Sequence, residues 1–180
     1  MCGYVIESKP PRYKYGGYIL KLIILDILDA KRQLETFPYV ISILDNDFSF
    51  PIKSNPETHH IERFRDNREF YLPEGPTLSN ITSIVDKVKK WNLNKESEIM
   101  IHCTAGLSRS PAIAYAVLIG VGYNILEARD IIFKARPQAD PSIIILHYID
   151  ICFGLCGKLL KIGITDHDNY MKKLGVYKWK

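Results

Sequence analysis

Residues 99–111 read IMIHCTAGLSRSP, and several side chains in that stretch can do chemistry together. Cys103 is a nucleophile. Arg109, six residues on, carries a planar fork that grips two phosphoryl oxygens at once, which the point charge of a lysine could not. Gly106 permits a positive φ, so the backbone from Thr104 through Ala105, Gly106, Leu107 and Ser108 to Arg109 can curl and aim its N–H groups at one anion. Pro111 suits the first turn of a helix, whose N-terminus favours negative charge. The expected guest is a phosphate.

The same field favours a thiolate at Cys103. A free thiol titrates near about 8.5, whereas thiols at helix N-termini fall to about 3.5–7.5 and are then largely ionised near neutrality. His102 supports the site by orienting or charging it. Ser110 can donate to the sulfur when the thiolate must leave. These parts suit a nucleophilic, two-step phosphoryl transfer. A bare Cys-x5-Arg spacing is common by chance, but the flanking His, Gly and Ser bring random expectation down to on the order of 10^-5, so packing alone is a poor account of the stretch.

The elements around it must bring Cys103 to an edge where a ligand can reach it. Apolar runs predict strands at 18–25, 39–44 and 59–64, and EIMIHC predicts another at 98–103. Helices are expected at 29–35, at 77–91 with Thr77 as N-cap, at 110–121 and at 125–135 with Asn124 and Glu127 as a capping pair. A last long helix is expected at 141–160, with Asp140 as cap and Pro141 first. Strands alternating with helices imply an α/β fold, a central, mostly parallel sheet of about four or five strands flanked by helices. The cysteine loop then joins the carboxyl end of a central strand to a helix, where such sheets bind ligands. Polar, proline-bearing loops fall at 46–57 and 66–76.

A phosphomonoester also needs a proton donor for its leaving oxygen, and that donor then serves as base toward water. Asp66, in FRDNREF, leaves the third strand on the same sheet edge as Cys103 and is the favoured candidate. Asp45 and Asp47 leave the second strand on that edge and compete with it. Asp140 is more simply a helix cap.

HCTAGLSRS is similar to the His-Cys-x5-Arg-Ser signature of the cysteine-based protein tyrosine and dual-specificity phosphatases. The likeness extends through YVISILD, HIERFRDN, the helix before the signature and EARDIIFKARPQADP after it. The layout over about residues 18–160 resembles small bacterial-type protein tyrosine phosphatases. The resemblance implies a phosphate-binding loop between strand and helix, a phosphocysteine intermediate and a general-acid aspartate upstream of the signature, which Asp66 matches best. Where the family often has an asparagine after the proline of the last segment, Ser142 stands here.

The remaining features are blander. At 180 residues, 47% hydrophobic and 24% charged, the chain suits a single domain over 1–180, with its core at about 18–160 and a tail at 161–180. The net charge of +4 comes from scattered basic residues. It favours phosphorylated protein or peptide partners, and without a basic stripe interleaved with aromatics it does not point to nucleic acid. Cys2, Cys103, Cys152 and Cys156 show no disulfide spacing, and no apolar secretory leader or membrane span is evident, so a cytoplasmic setting is expected. His59-His60 lacks further ligands at metal spacing, and neither metal nor cofactor is expected. Cys152 and Cys156 read as core thiols, Trp91 as core, and Arg136 as a brace behind the phosphate loop. Three functional readings follow: a phosphatase acting on phosphotyrosine and on phosphoserine or phosphothreonine, a phosphate-recognising pseudophosphatase, and a phosphoinositide phosphatase.

Overall fold

The computed structural model describes residues 20–67 and 72–176. Residues 18 and 19 of the first expected strand and part of the 66–76 loop lie outside that range. Strands β1 (Lys21–Leu25), β2 (Tyr39–Leu44), β3 (His59–Arg63) and β4 (Glu98–His102) form one sheet in the order β1-β4-β2-β3. Every pairing is parallel, so all four carboxyl ends share one edge.

A parallel sheet covered on both faces needs apolar residues at consecutive strand positions. YVISIL and IMI supply them. Ile41, Ile43, Ile99 and Ile101 enter the main core, whereas Val40, Leu44 and Met100 enter a smaller one with Ala30, Phe37 and Phe50. The two-residue period therefore puts Ser42 and His102 on the smaller-core face, side by side in register.

Helix α1 (Ile27–Arg32) covers that smaller face, starting two residues earlier than expected because Asp26 accepts from the N–H groups of Leu28 and Asp29. The larger face is covered by α2 (Leu78–Trp91), α3 (Arg109–Gly120) and α4 (Ile125–Ala135), with α5 (Ile143–Phe153) packed on α2 and α3. Thr77 caps α2 as expected and pairs reciprocally with Asn80, and the expected pair of Asn124 with Glu127 forms at α4. Trp91 is half-buried at the core margin, against Tyr39, and donates its indole N–H to the Glu57 carbonyl at 2.8 Å.

The expected single helix at 141–160 is two. Gly154, Cys156 and Gly157 all take positive φ, ending α5 and starting α6 (Lys158–Lys173), so residues 161–173 are helix rather than tail. Asp150 stabilises the corner, its buried carboxylate accepting from the N–H groups of Gly157, Leu159 and Leu160 at 2.6–3.1 Å. Asp140 does not cap α5. Ser142 occupies that position, and Asp140 instead meets the His167 ring of α6 at 2.9 Å. Cys152 is half-buried against the main core, whereas Cys156 is exposed in the turn and is not a core thiol. Among the described residues no helix is long and apolar enough to cross a membrane.

Candidate active site

β4 ends at His102, and the chain then turns over residues 103–108 into α3. Gly106 makes the turn possible. Its φ is +71°, and a Cβ there would lie 2.8 Å from the Leu25 carbonyl oxygen, so both backbone conformation and space demand glycine. The start of α1 holds the loop from one side, with the Ile27 N–H donating to the Thr104 carbonyl at 3.2 Å. Arg136 holds it from another, donating to the Ala105 carbonyl at 3.0 Å as the expected brace. The Asp140 N–H donates to Leu107 O and the Ser142 N–H to Ser108 O, so the segment before α5 supports the loop through its backbone.

Cys103 lies at the floor of an open cleft of about 520 Å³. Its Sγ accepts from the Gly106 N–H at 3.3 Å and sits 3.2 Å from the Ser110 hydroxyl. Both contacts come from the loop and the first turn of α3, as the signature spacing requires. Asp45, Asp47, Asp66, Thr104 and Ser108 line the same cleft, which also takes in Leu107 and Arg109. Asp66 accepts from the Ser108 hydroxyl at 2.8 Å, which places its carboxylate at the loop rim.

Arg109 is buried, 3% exposed, and its five N–H donors can be counted. Nη1 donates to Asp45 Oδ1 at 2.9 Å and to the Phe64 carbonyl at 2.8 Å, and Nη2 donates once, to Thr104 Oγ1 at 2.8 Å. Nε meets no partner among the described residues. One N–H on Nε and one on Nη2 remain, and Nε and Nη2 are the two nitrogens on the side of the guanidinium that can meet two oxygens of a tetrahedral anion.

His102 does not charge the site. Burial, followed by the neighbouring His59, lowers its pKa from 6.5 to about 4, so the ring is neutral near pH 7. The ring is instead held by hydrogen bonding. Nε2 is 2.6 Å from the Ser42 hydroxyl, which is 2.7 Å from Nε2 of His59. Phe50 of the 46–57 loop covers the His102 ring with centroids 4.5 Å apart.

Ser42, His59, Phe50 and the Asp45 contact to Arg109 escaped sequence reasoning as parts of the site. Asp45 carried a signal as a carboxylate on the right edge, though for a different task. Nothing local marks His59 or Ser42, which meet His102 only through strand pairing.

No family model matches the sequence, and no curated protein sequence matches it either. Solved structures do. Human DUSP28 superposes with a TM-score of 0.55 at 16% identity over 72% of this chain and 88% of its own. DUSP15 gives 0.52 at 18% identity, covering 91% and 96%. PTPMT1 in complex with PI(5)P gives 0.51 at 21% identity, covering 81% and 94%. The parallel sheet and its flanking helices are thus the fold of the cysteine-based protein tyrosine and dual-specificity phosphatases.

Proposed function

We propose that this chain is a single catalytic domain that hydrolyses phosphotyrosine in proteins or peptides, and phosphoserine or phosphothreonine as well, through a phosphocysteine intermediate. The observation that carries the reading is the pairing, in one cleft, of a sulfur held by an N–H group of its own loop with a guanidinium edge that keeps two donors unused.

In the first step the Cys103 thiolate attacks phosphorus and an S–P bond forms. The P–O bond to the substrate breaks, and the leaving oxygen takes a proton from Asp66. With Oδ1 accepting from Ser108, Oδ2 is the atom to carry that proton. The remaining edge of Arg109 and the N–H groups of residues 104–109 hold the equatorial oxygens, whose charge peaks in the transition state. In the second step water attacks phosphorus and gives its proton to the Asp66 carboxylate. The S–P electron pair returns to sulfur, eased by a hydrogen bond from Ser110, and inorganic phosphate leaves. A reducing cytoplasmic setting suits a reaction that needs a free thiol.

A phosphoinositide substrate is the second reading, suggested by the PTPMT1 complex. Three carboxylates in the cleft and neutral Thr104 and Ala105 in the loop disfavour a multiply charged headgroup.

Phosphate release from an aryl phosphate and from a phosphopeptide panel tests the reading. Cys103→Ser should abolish turnover. Asp66→Ala should lower kcat by about 10²–10⁴-fold, as expected for loss of a general acid. A larger kcat loss in Asp45→Ala than in Asp66→Ala would move the acid to Asp45. If wild type and Cys103→Ser were equally inactive yet both bound phosphopeptide, the chain would be a recognition module instead.

A further inference from the structure

Two buried histidines and a buried serine form a hydrogen-bonded line in the sheet that ends at His102, the residue before Cys103, and the proposed reaction uses none of them to move a proton. Ser42 and His102 are 0% exposed and His59 is 6% exposed. Ser42 stands in register with His102 across the β2–β4 pairing, and His59 lies on the other neighbour of β2, two residues along. Sheet geometry brings them into one line.

The direction of that line can be read from one backbone amide. The Lys53 N–H donates to His59 Nδ1 at 3.2 Å, and a backbone amide can only donate. His59 Nδ1 is therefore the bare nitrogen, and its neutral ring carries the proton on Nε2. That proton faces Ser42 Oγ at 2.7 Å, so the hydroxyl accepts from His59 and turns its own hydrogen to His102 Nε2 at 2.6 Å. His102 Nε2 is then an acceptor, and the His102 proton is on Nδ1. Nδ1 is the ring atom that has no hydrogen-bond partner among the described residues, and the Cys103 backbone is the polar group beside it. The positive end of the ring dipole thus faces the backbone of Cys103. Reversal of the chain would present a lone pair there.

The source of the chain is itself held firmly. Lys53 is 7% exposed, and its ammonium donates to the carbonyls of Leu34 and Phe37 at 3.0 and 2.6 Å, with Glu35 at 3.7 Å. The charged and titratable groups acting on the two rings are Lys53, His60 and Glu35 at His59, and His59 and Asp26 at His102. Phe50 packs against both rings, tilted over His102 and nearly perpendicular to His59.

We infer that His59 and Ser42 are positioning residues: a one-way hydrogen-bond chain from the Lys53 amide through His59 and Ser42 fixes the Nδ1–H tautomer of His102 and so keeps Cys103 reactive. The inference rests on the proposed nucleophilic role of Cys103, but its first test does not.

Long-range nitrogen–proton NMR on histidine-labelled protein reads each tautomer directly. The wild type should show the proton on Nε2 of His59 and on Nδ1 of His102 near neutral pH. Ser42→Ala should release His102 toward the Nε2–H form and slow iodoacetamide alkylation of Cys103 severalfold at mildly acidic pH, read by peptide mass spectrometry because other cysteines react too. His59→Gln is the second variant and should act in the same direction. A wild-type His102 protonated on Nε2 overturns the inference, even if neither variant folds. So does an alkylation rate at Cys103 that neither variant changes. Absence of Cys103-dependent phosphate release would instead defeat the phosphatase reading and leave the tautomers as they are.

Discussion

Asp45 Oδ1 lies 2.9 Å from Arg109 Nη1 and ties one end of the guanidinium, while Nε on the other side meets no partner among the described residues. The two residues are 64 positions apart in the chain. Arg109 is almost fully enclosed while Asp45 is about one-third exposed, so this is a half-buried ion pair rather than a surface one.

Removing the carboxylate should therefore loosen the arginine more than it unfolds the protein. Asp45→Ala is expected to weaken inhibition by inorganic phosphate or vanadate about tenfold, or roughly 1.4 kcal/mol. Asp45→Asn keeps an acceptor for Nη1 and should lose less. Equal inhibition constants in the wild type and the alanine variant would show that Phe64 and Thr104 orient the fork without Asp45.

Gly106 is the residue of the loop least open to change. An alanine there must hold a left-handed conformation and push its Cβ into the Leu25 carbonyl. Gly106→Ala should cost about 2–4 kcal/mol of stability, combining strain with a backbone clash, and should lose phosphate release because the Gly106 N–H moves off Cys103. Chemical denaturation with a parallel activity assay measures both. A stable, active variant would show that the loop does not need this conformation.

The two buried rings make stability depend on acid in a definite direction. His59 and His102 each titrate at about 4 in the folded chain, both because burial disfavours the charged ring. The unfolded values lie near 6.5. Between those limits the unfolded chain binds protons that the folded chain refuses, so this contribution is full above pH 6.5 and declines as pH falls toward 4. The loss is at most about 3 kcal/mol per ring. His59→Gln should be less stable at neutral pH yet less sensitive to acid over that window, as judged by urea midpoints. Parallel pH profiles for the two proteins would contradict the assignment.

Asp150 accepts three hydrogen bonds from the start of α6, where the corner residues Cys156 and Gly157 are left-handed. Asp150→Ala should destabilise the protein by about 2–3 kcal/mol, since one buried and two half-buried N–H groups lose their acceptor. Loss of α6 would also remove His167 from Asp140, beside the backbone contact to Leu107 that supports the cysteine loop. Hydrogen exchange across 158–173 should rise selectively. Unchanged protection there would mean that packing on α5 holds α6 without its cap.

What the sequence determined by itself was the local machinery. Cys103, Gly106, Arg109 and Ser110 lie within a few residues of one another, so their turn, their helix start and the contacts of the sulfur follow from residue types and spacing. The apolar runs determined the strands, and alternation with helices determined that the strands run parallel. The corner at 154–157 was partly written in Gly154 and Gly157, but the mostly apolar run from 143 to 156, broken only by His147 and Asp150 before the corner, masked it.

The tertiary structure decided everything that crosses strands. Whether Asp45 serves as acid or as anchor for Arg109 depends on where β2 ends relative to the cysteine loop, and pairing register sets that, not composition. The same register aligns His59, Ser42 and His102, which are separated by 17 and 60 positions. A hydrogen bond over such separations has no sequence period to announce it. Only the packed sheet supplies both the distance and the low-dielectric surroundings that give the contact its direction.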